Sequence, residues 1–246
     1  MKIMTNGKIS KNTIYKDYFD AIYSESNNFS KKEYEVSAYN YDLDFGNFLP
    51  SKKDVKILDI GCGTGHFLNF LMRKGYINFI GIDISQSQIE FCKKFITQYC
   101  KTADAFDYLN NKKNFYSIIS ANDVIEHIPP KKLIIFLRMI YSALKPEAVL
   151  FLKLPNMSNP FALNNRYRDF THECGFTEKS IYQVLYAVGF RKIIIKPPKT
   201  HLKSIKDIIS KAILEILYFF LRKMFWYQGF AAPKILSSRL VVIAKK

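Results

Sequence analysis

Three glycines at alternate positions follow the first strongly apolar run of the chain. The run covers Val55–Ile60, and a helical pattern begins shortly after it, at Phe67–Arg73. Between the two lie Gly61, Gly63 and Gly65. Glycine adopts backbone angles that a side chain would forbid, and it lets backbone N–H groups approach a ligand at a helix N-terminus. The sequence therefore predicts a strand, a tight turn and a helix, with the turn at the edge of a parallel sheet where ligands bind.

Three acidic residues sharpen this prediction, because a glycine turn alone occurs in many nucleotide sites. Asp59 stands within the first strand, where a purely structural role would favour an apolar residue. Asp83 closes the second apolar run, and Asp104 follows the third. An acid at the end of the second strand can accept hydrogen bonds from both hydroxyls of a ribose. The pattern therefore indicates a nucleoside ligand.

The motif Asp59-Ile-Gly61-Cys-Gly63-Thr-Gly65, followed by Asp83 and Asp104, resembles the class I S-adenosylmethionine-dependent methyltransferases. Within that family it is similar to the enzymes of bacterial sugar and surface-glycan biosynthesis. The resemblance implies that S-adenosylmethionine is the cofactor, with its ribose on Asp83 and its adenine amino group on Asp104. The cofactor-binding residues that it implies are Asp59, Gly61, Gly63, Gly65, Asp83, Asp104, Asn122 and Asp123.

Strand and helix patterns alternate after the glycine turn, which predicts a parallel sheet with helices on both faces. The resemblance implies a Rossmann-like α/β fold, with a seven-stranded, mostly parallel sheet and an antiparallel last strand. We expect this domain over residues 51–246 and an N-terminal lid segment over residues 1–50. In the lid we predict a short helix over Thr13–Ile22 and no clear period elsewhere. Tyr15 and Tyr18 are candidates to contact the substrate.

A polar stretch over residues 155–176 follows a predicted strand and is the candidate acceptor site. Histidine is a residue type suited to general-base catalysis, so His172 is the candidate base, and Asp169, three positions earlier, could orient it. Similar methyltransferases of glycan pathways carry a comparable Asp-x-x-His stretch. Arg166 and Arg168 could pair with a phosphate or carboxylate on the acceptor. The alternative is a loop in which these side chains only hold the backbone.

Residues 198–235 interrupt the expected last hairpin and form a helical insertion. Apolar residues recur there at three- and four-residue spacing from Ile205 to Leu221, which predicts an amphipathic helix. Charged residues interrupt this run, so it contains no uncharged stretch long enough to span a membrane. Three interpretations stay open for residues 203–228: packing against the chain's own core, a homodimer contact, and peripheral contact with a membrane.

The chain has 37 basic and 21 acidic residues among 246, a formal net charge of +16. Such a charge favours an anionic partner, although a lysine-rich composition alone would also produce it. We expect a cytoplasmic protein, with or without contact at the inner face of the membrane, because no signal-peptide pattern and no CxxC pair occurs. The four histidines are scattered, which predicts no metal site, and the absence of a compact basic-aromatic module predicts no nucleic-acid partner.

These features predict a methyltransferase that acts at an oxygen of a small anionic or lipid-linked acceptor of saccharide type, in surface-glycan biosynthesis. Two alternatives stay open. Tyr141 and Lys145 have the Tyr-x-x-x-Lys spacing of short-chain dehydrogenases, which would indicate an NAD(P)-dependent oxidoreductase. The other is a Rossmann-like domain retained as a non-catalytic membrane or assembly module through residues 198–235.

Overall fold

A computed structural model of the chain describes residues 30–199 and 204–246. Its strands are β1 (Ile57–Ile60), β2 (Phe79–Asp83), β3 (Cys100–Thr102), β4 (Tyr116–Asn122), β5 (Leu144–Pro155), β6 (Lys192–Lys196) and β7 (Arg239–Lys245). Its α-helices are α1 (Lys31–Phe45), α2 (His66–Arg73), α3 (Gln86–Phe95), α4 (Ala105–Leu109), α5 (Pro130–Ala143), α6 (Ala162–Tyr167), α7 (Glu178–Val188) and α8 (Ile205–Tyr227).

The strands form one seven-stranded sheet in the order β3-β2-β1-β4-β5-β7-β6. Neighbouring strands are parallel from β3 to β5, whereas β7 is antiparallel to both β5 and β6. The predicted fold class is therefore confirmed, including the antiparallel last strand. The short helices α4 and α6 were not predicted from the sequence.

Successive residues of each strand supply cores on opposite faces of the sheet. In β7, Leu240, Val242 and Ala244 belong to one apolar cluster, and Val241 and Ile243 belong to the other. This alternation follows from the two-residue period of a strand, and burial on both faces explains why the strand sequences are almost continuously apolar. The faces are too crowded to hold a ligand, so the site must lie at an edge of the sheet.

Helix α1 covers part of the sequence for which no period was predicted, and that prediction was wrong. The buried residues of α1 are Tyr34, Ala38, Asp44 and Phe45. Alanine and tyrosine produce a weak apolar stripe, so the helical period is hard to recognise. Tyr15, Tyr18 and the helix predicted over Thr13–Ile22 lie outside the described residues, and their roles stay predictions.

Helix α1 is fixed to the sheet and to the glycine turn by specific contacts. The Tyr34 hydroxyl donates to the carbonyl oxygen of Thr64 at 3.0 Å. The rings of Phe45 and Phe151 stack with their centroids 4.6 Å apart. The buried carboxylate of Asp44 accepts from Nζ of Lys153 at 2.9 Å. These contacts hold the chain segment before β1 close to the turn that follows β1.

Helix α8 confirms the predicted helical insertion, but it leaves most of its apolar surface exposed. Tyr218 is the only buried residue among 205–227, all of which the structure describes. The interpretation that this helix packs against the chain's own core is therefore wrong. Within residues 30–199 and 204–246, no helix is both long enough and apolar enough to cross a membrane. The exposed apolar face of α8 consists of Ile205, Ile209, Ile213, Ile216 and Phe220, which are 54–76% exposed.

Candidate active site

A cleft of about 530 Å³ opens where β1, β2 and β4 end. Its walls are the glycine turn, the end of β2, the segment Asp104–Phe106, the segment Asn122–Val124 and the side chain of His127. The volume lies in the range of small-molecule and cofactor sites. All eight residues predicted to bind the cofactor therefore lie at one edge of the sheet, and all but Gly65 line this cleft.

The glycine turn has the backbone conformation that the sequence predicted, with positive φ at Gly61, Gly63 and Gly65. At Gly63 the φ of +51° would strain any residue with a side chain, and an added Cβ would lie 2.7 Å from Oε1 of Gln88. The turn is thus shaped so that its backbone, and no side chain, borders the cleft at this position.

Asp83 binds the glycine turn to the end of β2. Its Oδ2 accepts from the backbone N–H of Gly63 at 2.9 Å, and its Oδ1 accepts from that of Ser85 at 2.8 Å. Ser85 itself caps α3 by accepting from the backbone N–H of Gln88. Burial raises the pKa of Asp83, while these backbone hydrogen bonds lower it. Asp83 is therefore not the helix cap, and it reaches the cleft already oriented.

Asp59 lies inside the sheet, only 2% exposed, and contributes to the floor of the cleft. Its Oδ1 accepts from the Ser120 hydroxyl on β4 at 2.5 Å. Burial raises the pKa of Asp59 to about 7, although the hydrogen bond from Ser120 opposes this rise. Ser120 was not predicted as a site residue, because this pairing depends on the register of β1 and β4.

The raised pKa of Asp59 predicts a pH-dependent stability. The unfolded chain loses this proton near pH 4 and the folded chain near pH 7, so the folded state binds more protons in between and stability falls as pH rises through that window. Asp59→Asn removes the titrating group, so its free energy of unfolding should not fall in this way. We expect its advantage over the wild type in that free energy to be about 2 kcal/mol larger at pH 8 than at pH 5. Urea unfolding at both pH values measures this gain. Equal gains at the two pH values would contradict it, and Asp107→Asn on the surface is the control.

The remaining predicted cofactor residues differ in how they are held. Asp104 accepts from the backbone N–H groups of Phe106 and Asp107 and so caps α4, and its predicted contact with adenine stays a prediction. The polar side-chain atoms of Asn122 are buried and have no hydrogen-bond partner among the described residues. They are therefore available to a ligand in the cleft.

Asp123 was also predicted to contact the cofactor, but its carboxylate forms an ion pair with Arg239 of β7. Burial would raise the pKa of Asp123, yet the adjacent guanidinium lowers it below its ordinary value. This ion pair links the β4 loop to β7, and the predicted contact between Asp123 and the cofactor stays a prediction.

The predicted pair of Asp169 and His172 is not formed as expected. Asp169 accepts from the backbone N–H and the hydroxyl of Thr171, at 2.9 and 2.6 Å. Thr171 in turn contacts Nδ1 of His127 at 2.8 Å. His172 is oriented by the carbonyl oxygen of Asn165, which lies 3.0 Å from its Nδ1. Asp169 therefore supports His127, while a backbone carbonyl supports His172.

His127 and His172 lie side by side, with ring centroids 4.8 Å apart. The sequence-based expectation that the histidines lie apart is therefore wrong for these two. His127 lines the cleft. Burial lowers the pKa of His127, and the charge of His172 adds to this effect. The pair connects the cofactor cleft to the predicted acceptor loop.

The predicted acceptor arginines have different environments. Arg166 donates to the carbonyl oxygens of His172 and Glu173, at 2.7 and 3.4 Å, so its guanidinium holds the loop instead of an acceptor. Arg168 is exposed and stays a candidate for an anionic acceptor. Four apolar side chains close to it in the sequence were not predicted as site residues: Phe161, Leu163, Tyr167 and Phe170, which are 69–90% exposed.

Comparison with known proteins is consistent with this geometry. The family model described as a methyltransferase domain matches residues 34–194, which include β1 to β5, the glycine turn and both histidines. The chain belongs to the methyltransferase domain family. The oxidoreductase alternative is therefore rejected. In agreement, Tyr141 packs edge-on against Phe190, with ring centroids 5.0 Å apart.

Two curated relatives of this methyltransferase match a shorter part of the chain. The cyclopropane-fatty-acyl-phospholipid synthase of Escherichia coli strain K12 is 28% identical over 108 residues, which are 42% of this chain and 27% of that protein. The ubiquinone biosynthesis O-methyltransferase of Bartonella quintana is 32% identical over 108 residues, 42% of each chain. The match thus spans less than half the length of either relative.

A solved structure, of a SAM-dependent methyltransferase from Archaeoglobus fulgidus, is similar over almost the whole chain. It is 24% identical, with a TM-score of 0.65, over 93% of this chain and 99% of the other. At this identity the similarity shows the fold alone. Membership of the methyltransferase domain family implies S-adenosylmethionine as the cofactor.

The residues at the cleft fit that cofactor. Gly63 presents backbone where a Cβ would be too close to its neighbours, Asp83 is oriented beside it, and the amide of Asn122 lacks a partner among the described residues. The backbone at Gly63 would lie against the nucleoside, Asp83 would accept from its ribose, and the amide of Asn122 would bind the polar amino-acid tail. When bound, S-adenosylmethionine supplies a methyl group on a positively charged sulfur, which is already activated as a leaving group.

Proposed function

We propose that this chain transfers a methyl group from S-adenosylmethionine to an oxygen of an anionic, lipid-linked acceptor at a membrane surface. The observation that carries the proposal is the cleft at the glycine turn, in a chain of the methyltransferase domain family. Asp83 holds the turn, and the side-chain amide of Asn122, which has no partner in the part of the chain that the structure describes, borders the cleft. In such enzymes the protein mainly aligns the donor and the acceptor.

The acceptor is proposed from the surroundings of the cleft. The two relatives are named for a phospholipid and for ubiquinone biosynthesis, which supports a lipid-like acceptor. The acceptor loop adds exposed apolar side chains on either side of Arg168 in the sequence, a combination that suits an anionic group on an apolar chain. The saccharide head group predicted from the sequence stays part of the proposal, and it rests on the resemblance alone.

Membrane contact is proposed through the exposed apolar face of α8. This face repeats at positions i, i+4, i+8, i+11 and i+15, so it forms a continuous stripe along the helix. Lys206, Lys223 and Trp226 lie at its ends, as in helices that rest in a membrane interface. A net charge of +16 favours an anionic lipid surface and disfavours a second copy of the same chain.

The acceptor loop and the insertion are connected through one short segment. Asn156 and Asn159 donate from their side chains to the carbonyl oxygens of Ile235, Leu236 and Ser237, at 2.7–3.0 Å. These residues follow α8 and precede β7. The segment that follows α8 is therefore hydrogen-bonded to the start of the acceptor loop. Membrane contact through α8 would place that loop, with its exposed apolar side chains, near the same surface.

Calorimetry tests the cofactor part of the proposal. We expect S-adenosylhomocysteine to bind the full chain and NAD to give no heat, because the cleft suits a nucleoside with an amino-acid tail. Labelled S-adenosylmethionine with membrane lipid extracts then tests the transfer, and we expect the label in the organic phase. Binding of NAD without S-adenosylhomocysteine would overturn the assignment, and label confined to the aqueous phase would overturn the lipid-linked acceptor.

A further inference from the structure

Three potential metal ligands converge beside the cleft, where the turn Ile125–His127 meets the loop after α6. A carboxylate oxygen of Glu126 and one ring nitrogen each of His127 and His172 all lie within 4.8 Å of one another. The first two residues follow β4, and the third comes from the distant acceptor loop. Only the fold brings these groups together.

Glu126 is the least explained of the three residues. It is 2% exposed, and its Oε2 makes no hydrogen bond within the part of the chain that the structure describes. A buried carboxylate oxygen without a partner costs about 1–3 kcal/mol. Burial raises the pKa of Glu126 well above its ordinary value, and the nearby guanidinium of Arg239, which is paired with Asp123, opposes this rise. A cation bound at Glu126 would remove this cost.

Hydrogen bonds define the tautomer of each imidazole. The Asn165 carbonyl oxygen can only accept, so Nδ1 of His172 donates to it and carries the proton. The Thr171 hydroxyl gives its proton to Asp169, so it accepts from Nδ1 of His127. In both rings the lone pair is therefore on Nε2. Histidines that ligate metals are oriented in this manner, by donating the other ring N–H to a carbonyl or to a group held by a carboxylate.

We propose that Glu126, His127 and His172 bind one divalent transition-metal ion. Two imidazoles and one carboxylate are a ligand set for Zn²⁺, Mn²⁺ or Fe²⁺, with coordination positions left open. Ligand atoms of such ions lie about 2.0–2.2 Å from the metal, so binding would draw the three side chains inward from their present separation. Because His127 lines the cleft, an ion bound here would lie next to the proposed donor site.

A role for the ion in the reaction rests on the proposed function. A metal-bound hydroxyl has a lowered pKa, so an acceptor hydroxyl held by the ion would release its proton to solvent near neutral pH. Its oxygen would then bond to the methyl carbon as the carbon–sulfur bond of the donor breaks and S-adenosylhomocysteine leaves. The lone pair of His172 cannot serve both the metal and the acceptor proton. In this arrangement His172 holds the ion and is not the general base that the sequence predicted.

Titration of the metal-stripped full chain with Mn²⁺, followed by electron paramagnetic resonance of the free ion, tests the site. We expect saturation at one ion per chain, and binding at least about 10-fold weaker in Glu126→Gln and in His172→Ala. Glu173→Gln changes a carboxylate in the same loop outside the cluster, and we expect it to bind the ion like the wild type. Binding of S-adenosylhomocysteine to each variant confirms that the fold is intact.

Absence of saturable Mn²⁺ and Zn²⁺ binding to the wild type would overturn the proposal, as would wild-type affinity in both ligand variants. These outcomes are separate from a failure of the proposed function, which concerns S-adenosylhomocysteine and the acceptor. If the ion binds as expected but methyl transfer is undiminished in a chelator, the site stands and its role in the reaction is refuted.

Discussion

Replacing Asp83 with alanine is expected to lower the affinity for S-adenosylhomocysteine about 100-fold. The carboxylate orients the backbone of the glycine turn through Gly63 and the start of α3 through Ser85. It is also the group proposed to accept from the ribose. Hydrogen bonds to a charged group contribute about 1.5–3 kcal/mol each, so losing the ribose contact and part of the turn geometry amounts to about 3 kcal/mol.

Isothermal calorimetry measures this loss, with Asp54→Ala on the surface as the matched control. Asp83→Asn is the second variant, because it keeps the size of the side chain while placing an amide N–H against a backbone N–H. The thermal midpoint of each variant shows whether the domain is folded. Affinities within about threefold of the wild type in both Asp83 variants would show that the nucleoside is bound elsewhere.

The triple variant Ile209→Gln, Ile216→Gln and Phe220→Gln is expected to lower partitioning onto anionic vesicles about 100-fold. Each side chain is more than half exposed in the free chain, and partial burial in a lipid interface contributes about 1 kcal/mol per residue. Glutamine is a good helix former and carries no charge, so the helix and the net charge are preserved. Flotation with vesicles of phosphatidylglycerol and phosphatidylcholine measures the change.

A matched control replaces three exposed apolar residues outside α8: Ile77, Phe95 and Ile135. It should partition like the wild type. Pure phosphatidylcholine should bind the wild type more weakly, because the lysines then lose their partner. Equal flotation of the triple variant and the wild type would exclude α8 as the membrane contact. A concentration-dependent dimer that the triple variant abolishes would support the homodimer alternative instead.

The sheet and the cofactor side of the cleft could be predicted from the sequence because their signals are local. A glycine turn with positive φ and an acidic residue at the end of a buried strand can each be predicted from a few neighbouring residues. Helix α1 could not be recognised, since its buried residues include a tyrosine, an alanine and an aspartate and so form no clear apolar stripe. Its position became clear only through contacts such as that between Tyr34 and Thr64.

The acceptor side was harder to predict because its geometry depends on residues far apart in the chain. The spacing predicted that Asp169 orients His172. In the structure the Asp169 carboxylate accepts from Thr171, and the carbonyl oxygen of Asn165 orients the His172 ring. The neighbours of Glu126 and Ser120 likewise come from other elements of the fold. A sequence pattern identifies the type of chemistry at such a site, and the fold decides which groups share it.

The strands on either side of the insertion are direct neighbours, with Lys196 opposite Val241 in the register of β6 and β7. The paired residues Lys196 and Val241 are therefore only about 5 Å apart, and β7 begins two residues before Val241, so a short loop could replace the insertion. Gain or loss of this insertion during evolution would leave the residues on the cofactor side of the cleft in place. The proposed membrane contact and the binding of the methyl donor could thus evolve independently.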